Sequence, residues 1–149
     1  MEVTLRRARS RDGGDVAEIH LLARRESMPY LPDVHTDEET RAYFRGVVRA
    51  SDEVVVAESE GQVVGFAALR AELLEHLYVH PRFQGRGIGS ALLERAKELS
   101  PQGFRLWVFQ RNEEARRFYE RRGLRVVELT DGAGNEEQEP DALYEWRPG

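Results

Sequence analysis

Between residues 77 and 89 the chain reads Leu77-Tyr78-Val79-His80-Pro81-Arg82-Phe83-Gln84-Gly85-Arg86-Gly87-Ile88-Gly89: an apolar run, a proline turn, then alternate glycines. Beyond them Ile88, Ala91, Leu92, Ala96 and Leu99 recur at helical spacing, so the glycines open a helix. At such a place main-chain N–H groups have no intrahelical acceptor, the helix dipole favours negative charge, and glycine lets a ligand come close to the backbone. The natural guest is a phosphate or pyrophosphate.

Two common phosphate loops do not fit. A Walker loop needs Lys and then Ser or Thr after its last glycine, whereas Gly89 is followed by Ser90 and Ala91. A dinucleotide fingerprint, G-x-G-x-x-G, would require its third glycine at Ser90 or Leu92, according to register. What remains is Gln84-x-x-Gly87-x-Gly89 between a strand and an amphipathic helix. This resembles the signature of the GNAT superfamily of N-acetyltransferases: Gln or Arg, two variable residues, Gly, one variable residue, then Gly or Ala. The resemblance runs over Leu77 to Leu93 and again over Leu106 to Gly123.

The resemblance implies a mixed α/β (α+β) acyltransferase fold, with a central, mostly antiparallel sheet of about seven strands, splayed at its centre, and about four helices. It implies acetyl-CoA as co-substrate, with its pyrophosphate on Gln84, Gly85, Arg86, Gly87, Ile88 and Gly89. The main chain of Leu77, Tyr78 and Val79 would meet the pantetheine and the acyl carbonyl. Asn112 would contact the cofactor, and Tyr119 would protonate the departing CoA thiolate. The acetyl group would pass directly to a primary amine, on a small molecule or a peptide, in a ternary complex. A homodimer is a further expectation from related folds. The rival reading is an acyl-CoA-binding sensor or interaction domain without turnover.

Asn112 and Tyr119 lie seven residues apart, two turns of one helix, and so share a face. Asn112 is also a good N-cap, and Tyr119, beside Phe118, also suits a core. An attacking amine must be neutral, which calls for a base or a water chain leading to one. Glu75 shares strand parity with Leu77 and Val79 and is the first choice if no bulge intervenes. Glu72 and His76 are the alternatives, and a bulge would swap which of them faces the site.

These residues are positioned by a regular succession of elements. Val3 to Ala8 alternates as a strand, and Asp12 and Asp15 open a helix carrying Val16, Ile19, Leu22 and Ala23. Met28-Pro29-Tyr30-Leu31-Pro32 breaks it, giving a loop that can wall the acceptor site. Thr36 and Glu39 form a capping box before Tyr43, Phe44, Val47 and Val48. Val54 to Glu58, Gln62 to Leu69 and Leu73 to Val79 read as three antiparallel strands, the first two joined at Glu60-Gly61. Phe104 to Phe109 is a strand, Asn112 to Gly123 a helix, Leu124 to Leu129 a strand, Thr130 to Pro140 a polar acidic loop, and Ala142 to Trp146 a closing strand.

The chain has 149 residues, the size of one domain spanning 1–149, with 40% apolar and 33% charged residues, a globular balance. No apolar run approaches the ~20 residues of a membrane helix. With no cysteine, thiolate metal sites and cysteine nucleophiles are excluded, and the four histidines do not form ligand-spaced pairs on one helix, so no metal is expected. A net charge of -5 argues against nucleic acid as a partner. The opening residues show no basic region running into an apolar stretch, and a cytoplasmic location is expected. The arginines at 116, 117, 121 and 122 read as a solvated face, and the acids near residues 33–39 and 136–141 as solvated loops that can also attract a cationic amine.

Overall fold

A computed structural model describes residues 2–50 and 53–149. In chain order the elements are β1 (Thr4–Arg7), α1 (Gly13–Ser27), α2 (Asp37–Ala50), β2 (Glu53–Ser59), β3 (Gln62–Arg70), β4 (Leu73–Val79), α3 (Ile88–Leu99), β5 (Phe104–Phe109), α4 (Glu113–Arg121), β6 (Arg125–Leu129) and β7 (Asp141–Trp146), with short 3-10 turns at Ser10–Asp12 and Pro81–Phe83. The strands form one seven-stranded sheet in the order β1-β2-β3-β4-β5-β7-β6. Every neighbouring pair is antiparallel except β4 and β5, which run parallel and are registered only at Leu73 against Arg105. The mixed, mostly antiparallel sheet with four α-helices is the architecture expected from the resemblance.

The continuous apolar run of β2 is explained by helices on both faces of the sheet. Val54 and Val56 join Phe66 and Ala68 beneath Val16, Ala17, Ile19, Phe44 and Val48 of α1 and α2. Val55 and Ala57 look the other way, into a cluster with Ile88, Leu92, Leu93 and Ala96 of α3 and Tyr119 of α4. Two expected core positions lie outside: Leu22 and Tyr43 are exposed, and Leu21 is buried in place of its neighbour. The helix start at Thr36 is as expected, with reciprocal bonds of 2.8 and 3.1 Å between Thr36 and Glu39. Among the described residues no helix is long and apolar enough to cross a membrane.

A bulge interrupts the β3–β4 ladder, since Ala68 faces His76 while the next residue, Leu69, faces Leu74. Glu75 is the extra residue, so Leu74 falls on the side of Val79 and the simple parity expected along β4 fails there. His76 and Tyr78 turn toward α1 and α2.

Asp12 does not cap α1 with its side chain. Its buried carboxylate takes both guanidinium nitrogens of Arg6, at 2.8 and 3.0 Å, and the Arg9 N–H at 2.7 Å, while Arg6 also reaches Glu58 at 3.1 Å. The Arg6 guanidinium holds the Asp12 carboxyl below the usual carboxylate range. This cluster fastens the edge strand β1 to β2 and to the start of α1. Replacing Arg6 by Met leaves a buried carboxylate without its cation and is expected to cost about 3 kcal/mol in urea unfolding; a loss below ~1 kcal/mol would show that the cluster is not a fastening.

Candidate active site

The parallel pair β4–β5 parts beyond Leu73, so the far half of β4 has β3 on one edge and no strand on the other. His80 N–H donates to Val64 O at 2.8 Å, on the β3 side. Because successive amides along a strand alternate in direction, Tyr78 N–H also points to β3, whereas the N–H groups of Leu77 and Val79 point into the opening. The main chain of the Leu77, Tyr78 and Val79 segment is thus divided: Leu77 and Val79 offer backbone donors to the opening, and Tyr78 gives its N–H to β3 and packs its ring against His20 and Phe66.

At the end of β4 the chain turns into α3 through Gly85 and Gly87, both in the left-handed region at φ 77° and 83°. Gly87 is the N-cap of α3 and has no side chain to satisfy the free amides of the first turn. Gln84 braces this turn by donating its Nε2 to Val79 O at 3.1 Å. Its side chain is therefore spent on the protein, and what it presents to a ligand is backbone. Arg86 stands apart: its guanidinium lies 5.2 Å from the centre of the Phe83 ring, and it does not line the cleft.

These parts meet in a cleft of about 690 Å³, within the range of cofactor sites. Leu77, Tyr78, Val79, Gln84, Gly85, Gly87, Ile88, Gly89, Asn112 and Tyr119 all border it, which brings together every expected binding residue except Arg86. Asn112 caps α4, accepting the Ala115 N–H on its Oδ1 at 3.2 Å, and still faces the cleft. Tyr119 is buried, and burial raises its phenol far above the ordinary value, with the nearby Tyr78 hydroxyl adding to the effect.

Three arginines expected on a solvated face also border the cleft: Arg117, Arg121 and Arg122. Arg122 lies 3.9 Å above the Phe118 ring and donates to Ser90 Oγ at 2.8 Å, tying α4 to the first turn of α3. Arg122, three residues beyond Tyr119, shares its helix face and could have been found by spacing, whereas Arg117 and Arg121 stand two residues from Tyr119 and off that face.

None of the proposed bases borders the cleft. Glu75 is exposed on the bulge, and Glu72 is exposed ahead of β4. His76 is turned into an aromatic cluster with Phe44, Phe66 and His20, its Nε2 3.0 Å from the Tyr43 hydroxyl. Burial lowers His76 to about 4 and His20 to about 3. Among the described residues no group of acids and histidines could hold a metal.

The acidic loop between β6 and β7 is ordered and closely tied. Gly132 sits at φ 85°, and a Cβ there would lie 2.4 Å from the Glu139 main chain. Glu137 and Glu139 are paired with Arg24 and Arg111 and largely withdrawn from solvent, whereas Glu136, beside His35, and Asp131 stay exposed, as read. The loop thereby meets the segment between α1 and α2.

With this geometry the chain matches known proteins. The acetyltransferase (GNAT) domain family matches residues 50–125. An N-acetyltransferase of Archaeoglobus fulgidus, itself uncharacterised, is 33% identical over 148 residues, covering 89% of this chain and 99% of its own. The peptidyl-lysine N-acetyltransferase YjaB of Salmonella typhimurium is 28% identical, covering 85% of this chain and 86% of its own. The crystal structure of the PaiA N-acetyltransferase of Thermoplasma acidophilum with coenzyme A superposes with a TM-score of 0.77 at 20% identity, over 99% of this chain and all of the other, a likeness of fold. The chain belongs to the GNAT family of N-acetyltransferases. It is an acyltransferase.

His20 and His76 are held neutral in the fold, while in the unfolded chain each takes a proton near 6.5. The unfolded state therefore binds more protons below that pH, and stability is full above 6.5 and falls toward about 4. Urea unfolding between pH 6.5 and 5 should show a slope approaching ~1.4 kcal/mol per pH unit for each imidazole, and His76→Gln should remove about half of it. An unchanged slope in that variant would contradict the burial of a neutral imidazole.

Proposed function

We propose that the cleft binds acetyl-CoA and that the enzyme passes its acetyl group directly to a primary amine. The observation that carries this is the convergence, in one cleft, of the free Leu77 and Val79 amides, the glycine turn at the N-terminus of α3, and the buried Tyr119. The pyrophosphate lies on the amides of Gly85 to Gly89, where the helix dipole and uncapped N–H groups favour an anion. Arg117 and Arg121 add positive charge along the same wall, and Asn112 meets the cofactor from the start of α4. An acceptor amine is supported by the peptidyl-lysine acetyltransferase among the relatives.

In the reaction the amine nitrogen bonds to the thioester carbon and the carbonyl oxygen becomes an oxyanion. A β4 amide aimed at that oxygen stabilises it; such a donor is worth about 10²–10³ in rate. The C–S bond then breaks, and Tyr119 gives its proton to the leaving thiolate. The phenol is protonated at neutral pH and so has the proton to give, and what suits it to the role is its place in the wall of the cleft, since burial by itself makes it a weaker acid. The amine loses its proton through water to Glu75, which stands exposed on the β4 bulge. His76 is a poor choice, being a weak base held by Tyr43.

With acetyl-CoA and a broad panel of amines, thiol release should depend on the acceptor. Tyr119→Phe should lower kcat about 100-fold while leaving the acetyl-CoA dissociation constant unchanged. Full rate in that variant would remove Tyr119 from the role of acid. Acetyl-CoA raising Tm with no thiol release from any amine would instead support a binding domain without turnover.

A further inference from the structure

The β6–β7 loop keeps its shape largely by its own amide side chains. Asn135 Nδ2 donates to Glu139 O at 2.8 Å and to Asp141 Oδ2 at 3.1 Å, and Gln138 Nε2 donates to Asn135 O at 2.7 Å. Its carboxylates at 137 and 139 reach arginines on other elements instead. Glu139 takes Arg111 through two bonds of 2.8 Å, with that guanidinium 3.9 Å above the Tyr30 ring. Glu137 takes Arg24 of α1 at 3.1 Å, and both side chains are largely withdrawn from solvent, at 14% and 19% exposure.

Arg24 stands at a boundary. It is not in the wall of the cleft but lies one turn along α1 from His20, whose ring is 4.8 Å from that of Tyr78, and Tyr78 borders the cleft. Arg24 also lines a second, small cavity of about 60 Å³ beside His20, Asp33, His35 and Thr40. A second guanidinium nitrogen, Nη2, donates to Pro32 O at 3.0 Å. One half of its fork is thus held by the backbone, and the other half is occupied by a carboxylate on a loop.

A partly buried ion pair gains little over its desolvation cost, but an arginine left there without an anion is costly. Another carboxylate can therefore replace Glu137 at small net cost, since the guanidinium fork accepts either. A neutral or purely cationic group gives Arg24 nothing in exchange. We propose that the acceptor is an amine carrying its own carboxylate, which displaces Glu137 from Arg24, so that Glu137 is a built-in competitor for the acceptor site. The inference rests on the acetyl-transfer reading above and names the substrate class of that site.

The test is steady-state thiol release at saturating acetyl-CoA, with L-amino acids, their decarboxylated counterparts and an amidated lysine peptide as acceptors. A carboxylate-bearing amine should be preferred over its decarboxylated counterpart by about tenfold or more in kcat/KM. Arg24→Met should abolish that preference, whereas Glu137→Gln should lower KM for the same acceptor several-fold, with acetyl-CoA affinity unchanged in both. Opposite signs at the two partners are not what a merely structural ion pair produces. If Arg24→Met does not fold, the Glu137→Gln result decides alone. The inference is overturned if decarboxylated amines or the peptide are used as well or better, or if Glu137→Gln raises KM. If acetyl-CoA binds and no amine of either kind releases thiol, the transfer reading fails, and the inference with it.

Discussion

Two adjacent strands that separate after a single registered pair are the constraint on which the rest of the molecule depends. Backbone N–H and C=O groups are obligatory hydrogen-bonding groups, and a sheet that opens at its centre leaves one edge of β4 without strand partners. The protein satisfies part of this edge itself, through Gln84 on the Val79 carbonyl, and leaves the Leu77 and Val79 amides facing the cleft. A ligand that supplies carbonyl acceptors along an extended chain completes the sheet edge.

The elements around the opening hold it in shape. On one side α3 begins at Gly87, its first turn set against α4, where a Cβ on Gly89 would come within 3.3 Å of the Phe118 ring. Arg122 spans the same junction from the end of α4 to Ser90. On the other side, β5 is held to β7 along its whole length, so it does not follow β4. Tyr119 lies in the same apolar cluster as Val79 and Val108, which belong to the two strands that part. Residues that border the cleft thus also belong to the core.

Much of this was legible in the sequence where local chemistry decides structure. The capping box at Thr36 and Glu39, the Asn112 cap and the glycine turn into α3 are short-range features, and each occurs as read. What was not legible depends on partners far along the chain. Glu75 loses its parity to a bulge set by the β3 register, which no local pattern announces. Asp12 gives up a helix-capping role because Arg6 and Glu58 are brought beside it. Charge runs were misread in part for the same reason: Arg122 reaches Ser90, and Glu137 and Glu139 find arginines on other elements, while Arg117 and Arg121 are exposed as read, at the edge of the cleft. A charged residue looks alike in sequence whether it meets water or an ion of opposite sign.

The most direct test of the account is residue-resolved amide hydrogen exchange with and without acetyl-CoA. The Leu77 and Val79 amides should exchange readily in the free protein and slow by about tenfold or more when acetyl-CoA saturates the cleft. Tyr78, already bonded to β3, should change little. Leu77 and Val79 amides that are protected in the free protein, or unaffected by saturating acetyl-CoA, would contradict the claim that the parted strands present the backbone to the cofactor.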